Sequence, residues 1–220
     1  MKDKKLLSDI KEYLKCYENQ VLEDWYELIR HISVSETGEG IETCCDWIQK
    51  KMEEIGIQVT KYSVKPAPVL VGRFGNDPEK KTVLIYAHYD VKPAGERKLW
   101  HSDPFVPTVR DGKVYARGSA DNKSPLMAHL KALEYFIRRK MEVPVNVIFV
   151  FEGDEECGSR GLEEFLAEHR TELAADLVFF SDGPKDPSGL PIIALGAKGD
   201  LSIHITVETM NRNVHARYAP

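Results

Sequence analysis

His88 and Asp90 lie two positions apart and have the side chains best suited to chemistry in this 220-residue chain. They follow the apolar, β-branched run Lys-Thr-Val-Leu-Ile-Tyr-Ala at 81–87, which predicts a buried strand. Side chains two apart on a strand point the same way, so an imidazole and a carboxylate would meet at its end. Such a pair suits a metal site, with one residue ligating and the other acting on the ligand or on solvent. Taken by itself the pair is weak evidence, because a His-x-Asp sequence is common.

Further acidic residues follow other predicted strands, and they strengthen the interpretation of the first pair. In an α/β sheet, the loops beyond the strand ends build the binding crevice, so we expect these acids to converge on His88 and Asp90. The acids concerned are Asp121, Glu155, Glu156 and Asp182. Any one of these clusters alone is explained as well by solvated acids that cap turns. That explanation is a poor account of four clusters behind four strands.

One histidine with several carboxylates is a donor set for divalent metal ions. Two zinc ions about 3.5–4 Å apart share a bridging carboxylate and a bridging water, whose proton a free carboxylate accepts. Manganese and cobalt accept the same donors, and the absence of thiolates in the set argues against a structural zinc site. The adjacent acids Glu155 and Glu156 repel each other unless a cation or a proton separates them. One on the metal and one on the water would remove that conflict.

Composition sets the limits of these hypotheses. The net charge of −5 and the absence of a basic block argue against a nucleic-acid partner. No apolar run approaches the length needed to cross a membrane, and the N-terminus lacks the apolar core of a signal peptide. The four cysteines show no Cys-x-x-Cys spacing, so a reduced protein in the cytoplasm is the expectation.

Hydrophobic periodicity predicts helices that alternate with buried strands. Helices are expected at 4–30, 39–54, 126–138 and 159–166, the last capped by Ser159. Strands are expected at 57–64, 69–74, 82–87, 113–116, 145–151, 176–180, 190–194 and 201–207, with 145–151 and 176–180 buried. This pattern predicts an α/β fold, a mixed central sheet with helices on both faces.

Four segments resemble the carnosinase-like dipeptidases. These belong to a zinc metallopeptidase family that also holds aminoacylases, desuccinylases and acetylornithine deacetylases. The segments read Ala-His-Tyr-Asp-Val-Lys-Pro-Ala at 87–94, Trp-His-Ser-Asp-Pro-Phe at 100–105, Arg-Asp-Gly-Lys-Val-Tyr-Ala-Arg-Gly-Ser-Ala-Asp-Asn-Lys at 110–123 and Phe-Glu-Gly-Asp-Glu-Glu-Cys-Gly-Ser at 151–159. The resemblance is most specific between residues 80 and 183.

The resemblance implies two zinc ions per full-length subunit and assigns their ligands. His88 and Asp182 would bind one ion, Asp121 would bridge both, and Glu156 would bind the second. The last ligand of the family, a histidine near the C-terminus, falls beyond residue 220, so as few as one zinc is expected in this chain. The chain is accordingly expected to be the N-terminal portion of a protein about twice as long.

The resemblance also implies the catalytic groups. Glu155 would be the general base that activates the bridging water and then protonates the leaving amine. Asp90 would accept the second ring N–H of His88 and so fix its tautomer. The peptide bond after the bridging aspartate, between Asp121 and Asn122, is expected to be cis. Asn122 stands where the family commonly has a second aspartate, and Cys157 where it commonly has a serine.

A lid domain inserted into the catalytic one is a further implication of the resemblance. The expected division is a catalytic domain over 1–196 and the start of an α+β lid and dimerisation domain over 197–220. The family's lid brings a histidine into the partner subunit's site to stabilise the oxyanion, and His215 lies where it should be. The local sequence, His-Ala-Arg-Tyr, departs from the family's usual His-Ser-Gly.

The leading functional hypothesis is therefore zinc-dependent hydrolysis of an amide bond, most like that of a dipeptidase. Small peptides or N-acyl amino acids are the expected substrates and a homodimer the expected full-length assembly. Two alternatives stay open at this point. One is an N-acyl amino acid deacylase or desuccinylase, and the other is an inactive metal-binding fragment.

Overall fold

The structure, a computed structural model, describes residues 2–183 and, beyond them, 188–190, 192–194, 196, 199, 201, 203–207, 215 and 217. The chain divides into two units, 1–183 and 184–220. The helices of the first unit are α1 (Lys2–Arg30), α2 (Ile41–Glu54), α3 (Lys123–Arg138) and α4 (Leu162–Glu168). Its strands are β1 (Gln58–Tyr62), β2 (Val69–Phe74), β3 (Thr82–His88), β4 (Thr108–Arg110), β5 (Lys113–Tyr115), β6 (Asn146–Glu152) and β7 (Leu177–Phe180).

Five strands form a mixed sheet in the order β1-β2-β6-β3-β7. Strands β6, β3 and β7 are parallel, whereas β2 pairs antiparallel with β6 and β1 antiparallel with β2. The last residue of β3, His88, lies opposite the last residue of β6, Glu152. Three chain segments therefore leave the sheet at the same edge, which is where an α/β sheet positions its functional loops.

Alternating side chains of the sheet form two cores, one on each face. On one face, Leu70, Phe149 and Phe151 pack against α2 and α3. On the other face, Tyr86 and Val150 belong to a smaller cluster that includes Phe165 of α4. Helices thus cover both faces, and the predicted fold class is confirmed. No helix among the described residues has the length and apolarity needed to cross a membrane.

Most predicted elements of the first unit are present, with shifted ends. Strand β2 has the predicted bounds, while α3 begins at Lys123, three residues before the predicted start. The 111–112 turn joins β5 to the short strand β4, which was not predicted. Asp111 and Gly112 both have positive φ, as a two-residue hairpin of this kind requires.

Three predictions were wrong. Strand β7 is not buried, because it pairs with β3 alone among the described strands and all four of its residues are exposed. Gly161 rather than Ser159 precedes α4, because the Ser159 hydroxyl donates a 2.8 Å hydrogen bond to Glu152 instead. The described residues of the last two predicted strands (190, 192–194, 201 and 203–207) form no strand. A segment with alternating apolar side chains becomes a strand only where a second strand pairs with it. Residues 191 and 202 lie outside the described part.

The three long helices on one side of the sheet are joined by an ionic network. Asp24 of α1 accepts a 3.2 Å hydrogen bond from Lys51 of α2 and another from Lys131 of α3. Lys131 also donates to Glu134 at 2.6 Å, and Glu134 binds Arg138 at 2.6 Å. Because Asp24 is almost buried, its charge depends on these partners.

We expect Asp24→Ala to lower the free energy of unfolding by about 2 kcal/mol, the usual range for a charge-assisted hydrogen bond. Burial raises the pKa of Asp24, but the hydrogen bonds and charges of Lys131 and Lys51 outweigh it and lower the pKa. The contribution is thus present above about pH 4 and lost as the pH falls through the lowered pKa. Urea unfolding of the wild type and of Asp24→Ala at several pH values measures this contribution to the free energy of unfolding.

Glu23→Ala is the matched control, because Glu23 is the neighbouring acid and forms an exposed ion pair with Arg30. That change should cost well under about 1 kcal/mol, as exposed pairs do. Equal losses in the two variants would contradict a stabilising role for the network.

Candidate metal centre

Three side chains from separate segments meet at the sheet edge where the parallel strands end. The Nε2 atom of His88 lies 3.0 Å from an Asp121 carboxylate oxygen and 3.5 Å from an Asp182 oxygen. One ligand atom from each of the three residues lies within 4.8 Å of the other two. His88 is fully buried, whereas the two acids are exposed to solvent. The site is therefore an acidic opening with one buried nitrogen at its base.

Main-chain hydrogen bonds hold the segment after β3 in place. The Tyr89 N–H donates to the Glu152 carbonyl at 2.8 Å, and the Val91 N–H donates to the Ser33 carbonyl at 2.8 Å. The Ser33 hydroxyl donates a 2.6 Å hydrogen bond to the Tyr89 carbonyl. His88 is thus fixed at its backbone by both neighbouring segments.

Asp90 connects the imidazole to the loop that follows β6. Its side chain is fully buried, and its backbone oxygen and carboxylate oxygen lie 3.2 Å and 3.3 Å from Nδ1 of His88. The same carboxylate accepts hydrogen bonds from the backbone N–H groups of Glu155 at 3.1 Å and Glu156 at 3.0 Å. One buried carboxylate therefore orients both the histidine and the pair of glutamates.

The electrostatics of the site favour a positive charge. Burial disfavours protonated His88, but the carboxylates of Asp90, Glu155 and Asp121 outweigh it and raise its pKa to about 9. Burial by itself would raise the pKa of Asp90, but hydrogen bonds from His88, Ser35 and the Glu156 N–H outweigh it and lower the pKa of this carboxyl. A site that holds a proton this strongly attracts a cation in its place.

The two adjacent glutamates have different surroundings. A Glu155 carboxylate oxygen lies 3.7 Å from Nε2 of His88, and burial together with the charges of Glu156 and Asp182 raises the Glu155 pKa. The Glu156 carboxylate lies 3.5 Å from the Lys92 ammonium, which also bonds to the Glu156 carbonyl. Both glutamates fall outside the three-residue cluster. Of the two, Glu155 is the one whose carboxylate borders it.

The segment that carries Asp121 precedes α3. The Asp121–Asn122 peptide bond is cis, as expected. Lys123, which was not predicted to matter, is fully buried and donates to the carbonyls of Leu28 at 3.2 Å and His31 at 2.5 Å. A lysine in the first turn opposes the helix dipole, but the predicted helix began only at 126, so the sequence offered no signal for this contact. Its ammonium binds the C-terminal end of α1 and so anchors the start of α3.

Glu152 is a second buried group that sequence reasoning missed. Its carboxylate accepts hydrogen bonds from the Tyr86 hydroxyl at 2.5 Å and the Ser159 hydroxyl at 2.8 Å, and burial raises its pKa. The next residue, Gly153, lacks a Cβ, which would come within 2.5 Å of the Tyr89 ring. Glycine is required there so that the loop carrying the glutamates passes close to β3.

His215 belongs to the second unit, 184–220. It is exposed, and its Nδ1 accepts a 3.2 Å hydrogen bond from the Arg217 N–H. The role expected for it at an oxyanion stays a prediction.

The donor set fits one divalent metal ion. Once an ion replaces the proton on His88, the set offers one imidazole nitrogen and two carboxylate oxygens, a combination that zinc and related ions accept. The second ring nitrogen of His88 faces Asp90, the arrangement usual behind a metal-binding histidine.

Much of the chain matches a known protein family. Residues 84–218 match the model of the family described as peptidase family M20/M25/M40. The match spans more than half of the chain, so the chain belongs to this family.

Its relatives include two kinds of dipeptidase. The Cys-Gly metallodipeptidase dug1 of Schizosaccharomyces pombe is 40% identical over 172 residues, which cover 76% of this chain and 36% of that protein. The human Beta-Ala-His dipeptidase is 36% identical, covering 68% and 30%. The crystal structure of human carnosine dipeptidase 1 superposes with a TM-score of 0.77 at 29% identity, covering 80% and 41%. The chain thus spans well under half the length of these relatives. The resemblance to carnosinase-like dipeptidases that the sequence predicted is confirmed.

We expect His88→Ala to weaken Zn²⁺ binding at the three-residue cluster at least about a hundredfold, because it removes the only nitrogen ligand of that cluster. Isothermal titration of the 220-residue chain with Zn²⁺ measures the change. His169→Ala is the control, since His169 pairs with Glu172 elsewhere in the fold. Equal zinc affinity in wild type and His88→Ala would show that His88 is not a ligand.

Proposed function

We propose that the protein hydrolyses the amide bond of dipeptides with the help of bound zinc. The observation that carries the proposal is the convergence of His88, Asp121 and Asp182, with the Glu155 carboxylate at its border. Membership of the peptidase family supports the reaction class.

The residues that would hold the metal are those that the family resemblance implies, and the cluster of His88, Asp121 and Asp182 supports three of them. His88 and Asp182 would bind one zinc ion, Asp121 would lie between two, and Glu156 would bind the second. When bound, the metal supplies Lewis-acid chemistry, polarising the substrate carbonyl and lowering the pKa of water.

Glu155 is the proposed general base. Its carboxylate lies beside the cluster without belonging to it, so it is available for a proton. It takes a proton from the attacking water and then delivers it to the nitrogen of the leaving amine, which completes hydrolysis with no net change at Glu155. Its raised pKa brings the carboxyl closer to neutral pH, where proton transfer in both directions is efficient.

Asp90 acts through other groups. It holds His88 from behind and receives the backbone N–H groups of Glu155 and Glu156. Loss of its negative charge would affect the imidazole and the glutamate loop together.

The names of the relatives suggest the substrate class. They are named for Cys-Gly and β-Ala-His, so we propose dipeptides with a free amino group as substrates. Dimerisation, a lid carrying His215, and a cytoplasmic location belong to the same proposal for the whole protein.

A second candidate is metal binding without turnover by these 220 residues. It is favoured by the Glu156 carboxylate, which pairs with Lys92 and lies outside the three-residue cluster. A single ion at His88, Asp121 and Asp182 would then be bound with no second ion beside it.

Glu155→Gln tests the proposed base. We expect it to lower kcat for Cys-Gly hydrolysis by about 10²–10⁴-fold, because the amide cannot accept a proton, while the zinc content stays unchanged. Amine release and bound zinc are measured on the same preparations. Glu163→Gln, an exposed acid in the first turn of α4, is the control.

Unchanged turnover in Glu155→Gln would reject Glu155 as the base. Zinc binding by wild type with no dipeptide hydrolysis would instead favour the second candidate for these residues.

A further inference from the structure

We infer that Asn122 is a positioning residue that holds Asp182 against the metal cluster. The inference rests on the proposed function, because it assumes that Asp182 binds the metal. Asn122 is 1% exposed, and its side-chain Nδ2 donates a 2.9 Å hydrogen bond to the carbonyl oxygen of Ser181.

The bond connects two segments that are far apart in sequence. Asn122 directly follows Asp121, at the start of α3, whereas Ser181 directly precedes Asp182, after β7. The two acids that meet His88 therefore have neighbours that are bonded to each other. A change in this one bond alters the distance between two proposed ligands.

The sheet itself does not fix the position of Asp182. Pairing of β7 with β3 ends at Phe180, opposite Tyr86, and β7 is an exposed edge strand among the described elements. The next two residues have left the ladder. A side chain reaching across from α3 supplies a constraint that the backbone pairing lacks.

The amide of Asn122 is chemically suited to this contact. An ionised aspartate at this position would have only acceptors to offer to the Ser181 carbonyl, whereas asparagine has two N–H donors. The Oδ1 atom of Asn122 is buried and has no hydrogen-bond partner among the described residues. A buried amide with one unpaired oxygen adds little to folding stability. We therefore attribute the presence of asparagine at this position to its contact with Ser181.

Asn122→Leu tests the inference, because leucine fills a similar volume and lacks the donor. Zn²⁺ affinity is measured by competition with a chromophoric chelator in the 220-residue chain. We expect the Zn²⁺ dissociation constant to rise about tenfold or more, the range found when groups that orient metal ligands are removed.

Asn146→Leu is the matched control. Asn146 is also a buried asparagine whose Nδ2 donates to backbone carbonyls, those of Asp77 at 2.8 Å and Lys80 at 3.3 Å, but it lies at the first residue of β6. Because its Oδ1 also accepts a 3.0 Å hydrogen bond from the Asp77 N–H, Asn146→Leu should lose at least as much stability as Asn122→Leu, yet leave zinc affinity unchanged.

A double-mutant cycle with Asp182→Ala separates positioning from a general structural effect. If Asn122 acts through Asp182, Asn122→Leu has no further effect on zinc affinity once Asp182→Ala is present. An equal loss in both backgrounds, or a folded Asn122→Leu with wild-type affinity, would overturn the inference. Asn122→Ala replaces the leucine variant if that one fails to fold. Absence of zinc binding by wild type would instead reject the proposed function.

Discussion

The parallel pairing of β3 with both β6 and β7 is the constraint on which the site depends. Because the three strands run the same way, their carboxyl ends deliver His88, the glutamate loop and Asp182 to one edge. The register sets His88 opposite Glu152, so the two loops leave the sheet at the same level. Reversal of any one strand would send its acidic loop to the opposite edge.

Negative charge at that edge is stabilised from within the protein. The buried Asp90 carboxylate is surrounded by two backbone N–H groups and the imidazole, which together replace the water it has lost. The surrounding acids have fewer such donors. Their mutual repulsion is a physical reason why the site favours a cation. The His88 pKa rises despite complete burial because the hydrogen bond and charge of Asp90, followed by the charges of Glu155 and Asp121, stabilise the protonated imidazole.

Sequence reasoning succeeded where one signal was strong. The apolar run at 82–87 predicted β3 because a strand covered on both faces needs nearly every side chain to be apolar. The same rule misjudged 176–180, because an edge strand with an apolar sequence looks identical to a central one. Burial depends on which neighbours are present, and that information is not local.

The site was predicted in part for a similar reason. His88, Asp121 and Asp182 follow strands or precede a helix, and the rule about strand ends brought them together. Lys123 and the Ser159 contact with Glu152 depend on distances between segments that no periodicity contains. Ser159 was a reasonable helix cap on local grounds, yet a buried carboxylate seven residues earlier bound its hydroxyl instead.

The contrast between Glu155 and Glu156 has a consequence for metal affinity. Glu156 has a cationic partner in Lys92, whereas Glu155 has only the shared imidazole and its acidic neighbours. A metal ion bound by Glu156 would compete with the ammonium group of Lys92, whereas an ion at His88, Asp121 and Asp182 would replace only the proton on His88. The proposed second ion is accordingly the weaker of the two in these residues, because part of its electrostatic attraction is offset by the lost pairing with Lys92. The order in which two ions fill the site would then depend on Lys92, which pairs with the proposed ligand of the second ion.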